Sequence, residues 1–261
     1  MTAHSRARSS IGGATDEVVR AIGVVGVLGG MGPSATVDFM RKMLEATSAA
    51  TDQEHVPIIV SFIPQIPDRT EAFRGAGASP LADMVSSGRR LSAAGAGLVV
   101  IPCNTAHLWF DEIRQALCLP MLHIVDAALE DVVKRAGATG RIGLLATDAT
   151  LASGLYLKRG APRGHAHRVQ WFLPTPTEVL KFVTLGIAAV KGGHLQLGTE
   201  LLLTATRALK ARGASAVVLG CTEIPVVIDG GNSPLPVIDA TASLARRAVA
   251  WSREQQQKRV G

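Results

Sequence analysis

From about Ala21 onward the chain alternates short apolar runs with longer stretches of helix-like spacing. "AIGVVGVLGG" is an apolar run ended by glycines, and "PSATVDFMRKMLEATSAA" behind it places apolar residues at helical intervals, with Pro33 suited to a first turn. The alternation continues: "VPIIVSF" predicts a strand, "SPLADMVSSGRRLSAAG" a helix and "AGLVVIP" another strand. Strands joined by helices of this length form βαβ units, which predict an α/β fold with a mostly parallel sheet flanked by helices. The first twenty residues are small, polar and aperiodic, and predict a disordered extension.

The pattern also repeats. "AGAGLVVIPCNTA" from Ala94 lies over "RGASAVVLGCTEI" from Arg212, and "GVLGG" from Gly26 over "GLLAT" from Gly143 at nearly the same offset. "LPMLHIVDAALEDVVKRA" from Leu119 corresponds to "LPVIDATASLARRAV" from Leu235. Three matches in one order predict two similar, pseudo-symmetric α/β domains. We divide the chain into the extension 1–20, a first domain of 21–125 plus 237–261, and a second of 126–236. The final helix, expected from Thr241 to about Glu254, would return to the first domain. Ligands of open parallel sheets bind at the C-terminal ends of the strands, so the active site is expected in the cleft between the halves.

Composition narrows the class. At 261 residues with 47% hydrophobic content, the chain can bury ordinary cores. No stretch approaches the roughly 18 apolar residues of a membrane span, and the N-terminus lacks the apolar core of a secretory signal. A soluble, cytoplasmic protein without a membrane partner is expected. The formal charge of +6 lies largely at the C-terminus, where Arg246, Arg247, Arg253, Lys258 and Arg259 face only Glu254. A cationic helix end explains that excess, and aromatics at 4% are too few for stacking platforms, so no nucleic-acid partner is expected. Three cysteines without a CxxC pair exclude a disulfide framework and give no zinc pattern.

Cys103 and Cys221 occupy equivalent places, each just past a strand and followed by polar residues: Asn104 and Thr105, then Thr222 and Glu223. A thiol at a helix start is favoured as thiolate, with a pKa below the usual value of about 8.5. Amide, hydroxyls and exposed N–H groups around it would cradle a carboxylate. Two thiols facing each other across a bound carboxylate could remove and return a proton on opposite faces of the adjacent carbon, inverting it. Cys118, in "ALCLP", has no counterpart and is read as structural. His107, four residues after Cys103, could share its face, but no ligand cluster accompanies it. We expect no metal, and a supporting or packing role for His107. Glu223 could tune Cys221 or point away; His123, on an apolar run, reads as a core histidine.

The motifs "GVLGGMGPSAT", "PQIPDRT", "GAGLVVIPCNTAH", "GLLATDAT", "VKGG" and "GCTEIP" resemble the cofactor-independent aspartate/glutamate racemases, and more closely their aspartate racemase branch. That resemblance implies two similar α/β domains with the site between them, a small acidic amino acid as substrate, and neither pyridoxal phosphate nor another cofactor. It implies Cys103 and Cys221 as the acid/base pair, with Asn104, Thr105 and Thr222 on the α-carboxylate. Arg69 of "IPDRT" and Lys191 of "VKGG" would serve the side-chain carboxylate, as suits a dicarboxylate that needs cationic partners. Gly32 and Ser34 are further candidate substrate contacts, and Thr147, like His107 and Glu223, a candidate support behind them. A homodimer is expected by analogy.

Other readings stay open at this stage. "GMGPSA" fits the dinucleotide-binding pattern G-x-G-x-x-A, yet the acid needed at the end of the next strand is replaced by Ser61 and Phe62. Relatives on similar folds isomerise maleate, racemise hydantoins or decarboxylate malonates; two cysteines favour two-base racemisation over decarboxylation, though maleate isomerases also keep two. A silent binding protein on this scaffold is the remaining alternative.

Overall fold

The computed structural model describes residues 22–136, 140–160 and 169–260. The extension expected over 1–20 lies outside the described residues.

The first half runs β1 (Val25–Gly29), α1 (Pro33–Ala46), β2 (Ile58–Phe62), α2 (Arg69–Phe73), α3 (Leu81–Ala93), β3 (Leu98–Val100), α4 (Phe110–Leu117), β4 (Met121–Leu122) and α5 (Ile124–Ala136). Its sheet has the order β2-β1-β3-β4, all parallel. The second half runs β5 (Arg141–Leu145), α6 (Asp148–Ala152), α7 (Leu155–Gly160), β6 (Gln170–Phe172), α8 (Pro176–Glu178), α9 (Leu185–Lys191), α10 (Leu195–Ala211), β7 (Ala216–Leu219), β8 (Val237–Asp239) and α11 (Ala240–Val260). Its sheet has the order β6-β5-β7-β8, again parallel, so the two sheets match strand for strand.

Three details correct the sequence reading. Residues 237–239, grouped there with the first domain, form β8 and pair with β7 in the second sheet. The repeat itself requires this, because β8 stands to β7 as β4 stands to β3. The boundary after 125 falls inside α5. The last helix is also longer than expected, because "SREQQQKRV" contains neither glycine nor proline to stop it.

Strand pleat sorts the core. In β1, Val25 and Val27 point one way, and in β3 Leu98 and Val100 do the same. With Ile142, Leu144 and Val218 from the other sheet, they share a single central cluster that also takes Phe39, Val125 and Leu244 from α1, α5 and α11. The alternate residues face outward into separate clusters. Val99, Ile101 and Cys103 pack under α3 and α4, while Val217, Leu219 and Cys221 pack under α9 and α10. Each cysteine thus continues the outward parity of its strand two residues on, and the sequence repeat is a repeat of pleat phase. Helix α11 packs against both α1 and α5, so it joins the halves rather than belonging to one sheet.

Candidate active site

Both sheets end at one cavity. Met31, Asp68, Arg69, Thr70, Cys103, Asn104, Thr105, Thr147, Lys191, Cys221, Thr222 and Glu223 line it. Of the residues singled out from sequence, the cysteines, their polar followers, Arg69, Lys191 and Thr147 therefore meet in one place. Ser34 does not: it is exposed and lines a separate groove with Asp38, Lys42 and Asp239. It sits on the first turn of α1, whose phase turns it away from the cysteines. Gly32 lies behind the cavity. A Cβ built on it would stand 2.8 Å from Glu223 Oε1, so the glycine makes room for that carboxylate. An anion in this position is a poor neighbour for a pyrophosphate, which argues against reading "GMGPSA" as a dinucleotide loop.

The polypeptide turns sharply at the strand ends. After β1, Gly30 takes φ +94°, and its backbone lies so close to Ile63 that a side chain would collide; its N–H donates to Thr36 Oγ1 over 2.9 Å. After β3 the chain passes through Cys103 into a 3-10 turn, Thr105–Trp109; after β7 it passes through Cys221 into another, Ile224–Val226. The helix starts expected behind the thiols are thus 3-10 turns: the first runs straight on into α4, whereas the second is a single tight turn, which carries much less dipole.

The two thiols are both buried yet differ in company. Cys221 Sγ donates to Glu223 Oε2 over 3.0 Å, and Thr222 Oγ1 approaches the same oxygen at 3.4 Å. Burial, then the Glu223 charge and this hydrogen bond, push the Cys221 thiol well above its ordinary pKa, against a smaller opposing pull from Lys191. This corrects the expectation of a depressed thiol at this position, and shows that Glu223 points inward. Thr105 occupies the place in the first half that Glu223 occupies in the second, so Cys103 has no matching carboxylate.

Thr105 instead joins the halves. Its Oγ1 lies 2.9 Å from Thr147 Oγ1 and 3.1 Å from Thr150 Oγ1. Thr147 caps α6 through the Thr150 N–H, which fixes the cluster of hydroxyls. Asn104 is held from across the cleft as well: Tyr156 donates to its Oδ1 over 2.6 Å, leaving the buried Nδ2 without a partner among the described residues. His107 buttresses Cys103 from behind. Its Nε2 accepts from the Ile124 N–H at 3.2 Å, so Nδ1 carries the proton and donates to Cys103 O at 2.8 Å. Burial above all lowers the His107 pKa to about 4, so the ring is neutral.

Two cations complete the lining. Arg69 opens α2 behind its N-cap Asp68, which accepts from the Thr70 and Glu71 N–H groups. The residue is 9% exposed; Nη1 donates to Ile66 O and Pro67 O, and Nε is buried with no partner among the described residues. Among the described residues no carboxylate forms an ion pair with it. Lys191 is the last residue of α9, at the rim, with part of its surface in solvent. Desolvation alone would lower its pKa; the attraction of Glu223, Cys221 and Cys103 outweighs that and holds it raised. Sequence reasoning missed Tyr156, Thr150 and Asp68. The chain's single tyrosine was a visible signal, and Asp68 stood beside Arg69 in a quoted motif.

Fold and site together define an α/β protein of two matched halves that converge on one polar, cysteine-bearing cleft. The chain belongs to the Asp/Glu/Hydantoin racemase family, whose pattern matches residues 28–248. Membership makes it an isomerase of the amino-acid racemase kind. It is 28% identical over 238 residues to the broad specificity amino-acid racemase RacX of Bacillus subtilis, an alignment covering 87% of this chain and 97% of that one. The structure of Picrophilus torridus aspartate racemase superposes with a TM-score of 0.76 at 31% identity, covering 88% of this chain and 94% of the other. A glutamate racemase from Bacillus anthracis shares the fold, with a TM-score of 0.60 at 16% identity over 90% of this chain and 82% of that one. Among the described residues no helix is long and apolar enough to cross a membrane, and no group of three or more His, Cys, Asp or Glu could hold a metal ion.

Proposed function

We propose that the protein interconverts the L and D forms of aspartate, or of a closely similar acidic amino acid, by proton transfer between two thiols without a cofactor. The observation that carries this reading is the meeting, in one cavity, of two buried cysteines from equivalent strands with two cations, Arg69 and Lys191, that form no ion pair among the described residues. An α-carboxylate would lie against Asn104 Nδ2 and the hydroxyls of Thr105 and Thr222. The side-chain carboxylate would take Arg69 and Lys191, satisfying a guanidinium that is otherwise under-bonded.

The thiols differ at rest. Cys221, pinned to Glu223, is the proton donor, and Cys103 is the group that acts first as base. When Cys103 removes the α-proton, negative charge spreads into the α-carboxylate, and the donors around it strengthen their bonds as that charge grows. Cys221 then delivers a proton to the opposite face, and its charge is offset by Lys191. For the other enantiomer the roles reverse.

Incubating each enantiomer of aspartate and glutamate in heavy water, with no added cofactor, tests this directly. Exchange of the α-proton with loss of optical rotation is expected for aspartate. Cys103→Ala and Cys221→Ala should each lower racemisation by at least about 10²-fold; full activity in either would sink the two-thiol mechanism.

A further inference from the structure

The cavity around the two cysteines is tight. Its free volume of about 20 Å³ holds a water or two, far less than an amino acid requires. Two larger hollows, of about 780 and 840 Å³, share no lining residue with it. A hollow of about 260 Å³ shares four: Asp68, Thr70, Thr147 and Lys191. Its remaining lining is Glu71 and Arg74 from the first half and Asp148, Thr184, Ile187 and Ala188 from the second. Within that lining Arg74 Nη2 donates to Asp148 Oδ2 over 2.7 Å, from one half to the other, while Arg74 Nη1 reaches Glu71 at 3.3 Å.

Arg74 ends α2, the helix that Arg69 begins, and Asp148 begins α6 directly after Thr147. Their bond therefore ties together two short helices that each carry a cavity residue, one from each half. We infer that this hollow is the vestibule through which substrate reaches the thiols, and that the Arg74–Asp148 ion pair is the latch across its mouth. The inference rests on the cysteine cavity being the site of reaction. Both side chains are about half exposed, 48% and 40%, so their bond is weak and screened by salt. That suits a contact broken in every turnover. The vestibule offers an acidic amino acid both signs of charge: Arg74 and Lys191 for carboxylates, Asp68 and Asp148 for the ammonium group. A dicarboxylate that engages Arg74 displaces Asp148, so the ligand loosens the barrier it must pass.

Labelling with a small thiol reagent, followed by peptide mapping, reads the latch without turnover, with exposed Cys118 as internal reference. In the native protein Cys103 and Cys221 should label far more slowly than Cys118. Asp148→Ala and Arg74→Ala should each speed labelling of the two buried cysteines, relative to Cys118, by about fivefold. The swapped pair Arg74→Asp with Asp148→Arg should restore the native rate, and 0.5 M salt should speed labelling in the native protein but not in Asp148→Ala. Unchanged labelling in both single variants, or a swapped pair as fast as either, would overturn the latch. Failure to racemise any amino acid would instead strike at the proposed function and leave the labelling result standing.

Discussion

Cys221 and Glu223 face the same cavity with thiol and carboxylate 3.0 Å apart, an arrangement absent around Cys103. The pseudo-symmetry of the fold thus stops at the chemistry. A buried carboxylate beside a buried thiol holds the proton on sulfur, and removing its charge should release that hold. In a Cys103→Ala, Cys118→Ala background only Cys221 titrates as a thiol. Replacing Glu223 by Gln there should lower its midpoint, followed by thiolate absorbance near 240 nm. An unmoved midpoint would show that Glu223 does not govern the thiol. In the otherwise native chain, Glu223→Gln should reduce kcat by roughly tenfold or more.

In the proposed function Arg69 would carry the preference for a second carboxylate. Arg69→Ala should raise KM for aspartate by roughly 10- to 100-fold, equivalent to about 1.5–3 kcal/mol for hydrogen bonds to a charged group. Arg69→Lys should recover only part of this, because a point charge cannot reproduce the fork. Equal losses on an uncharged amino acid, measured in parallel, would remove the side-chain assignment.

His107 supplies a pH dependence with a defined sign. Its pKa falls from about 6.5 in an unfolded chain to about 4 in the fold, so the neutral ring stabilises the protein fully above pH 6.5. That contribution, up to ~3 kcal/mol, is lost as pH falls from 6.5 towards 4. Thermal unfolding of the native protein should weaken more steeply over this interval than that of His107→Gln. Parallel curves for the two proteins would refute the assignment.

Tyr156 positions Asn104 from the opposite half. Tyr156→Phe should cost about 1 kcal/mol of stability and raise KM a few-fold, because the Asn104 amide is then free to turn. Since both residues act through one bond, Tyr156→Phe should add little to Asn104→Ala. Additive losses in that double-mutant cycle would separate them.

Cys118 lies outside the cavity that holds Cys103 and Cys221. It ends α4 in the left-handed region at φ +51°, the one non-glycine residue with positive φ among those described. Cys118→Gly should retain full activity and stabilise the fold by up to ~1 kcal/mol, read as a higher Tm. A lowered Tm would count against strain at this turn.

The apolar runs and their repeat made the parallel sheets and the placing of Cys103 and Cys221 legible, because a period of two fixes which side of a strand a residue takes. Arg69 and Lys191 became legible through motifs alone; neither sits on a periodic pattern. What stayed hidden depends on distance across the cleft. Nothing local to Tyr156 announces Asn104, 52 residues away in the chain, and nothing in "CTE" says that the carboxylate turns inward against Gly32. The expectation of a lowered pKa failed at Cys221 for a related reason: burial and the neighbouring Glu223 charge push that thiol up, and the short turn behind it hardly has a dipole to oppose them. Ser34 was misplaced because a motif match carries no helical phase.

The central cluster shared by α1, α5 and α11 has an implication for any shortened form of the chain. Val25, Val27 and Phe39 on one side, and Ile142, Leu144 and Val218 on the other, complete one another's packing. Half of this protein, made alone, would carry the bare face of a severed interior and would seek a second copy of itself to cover it.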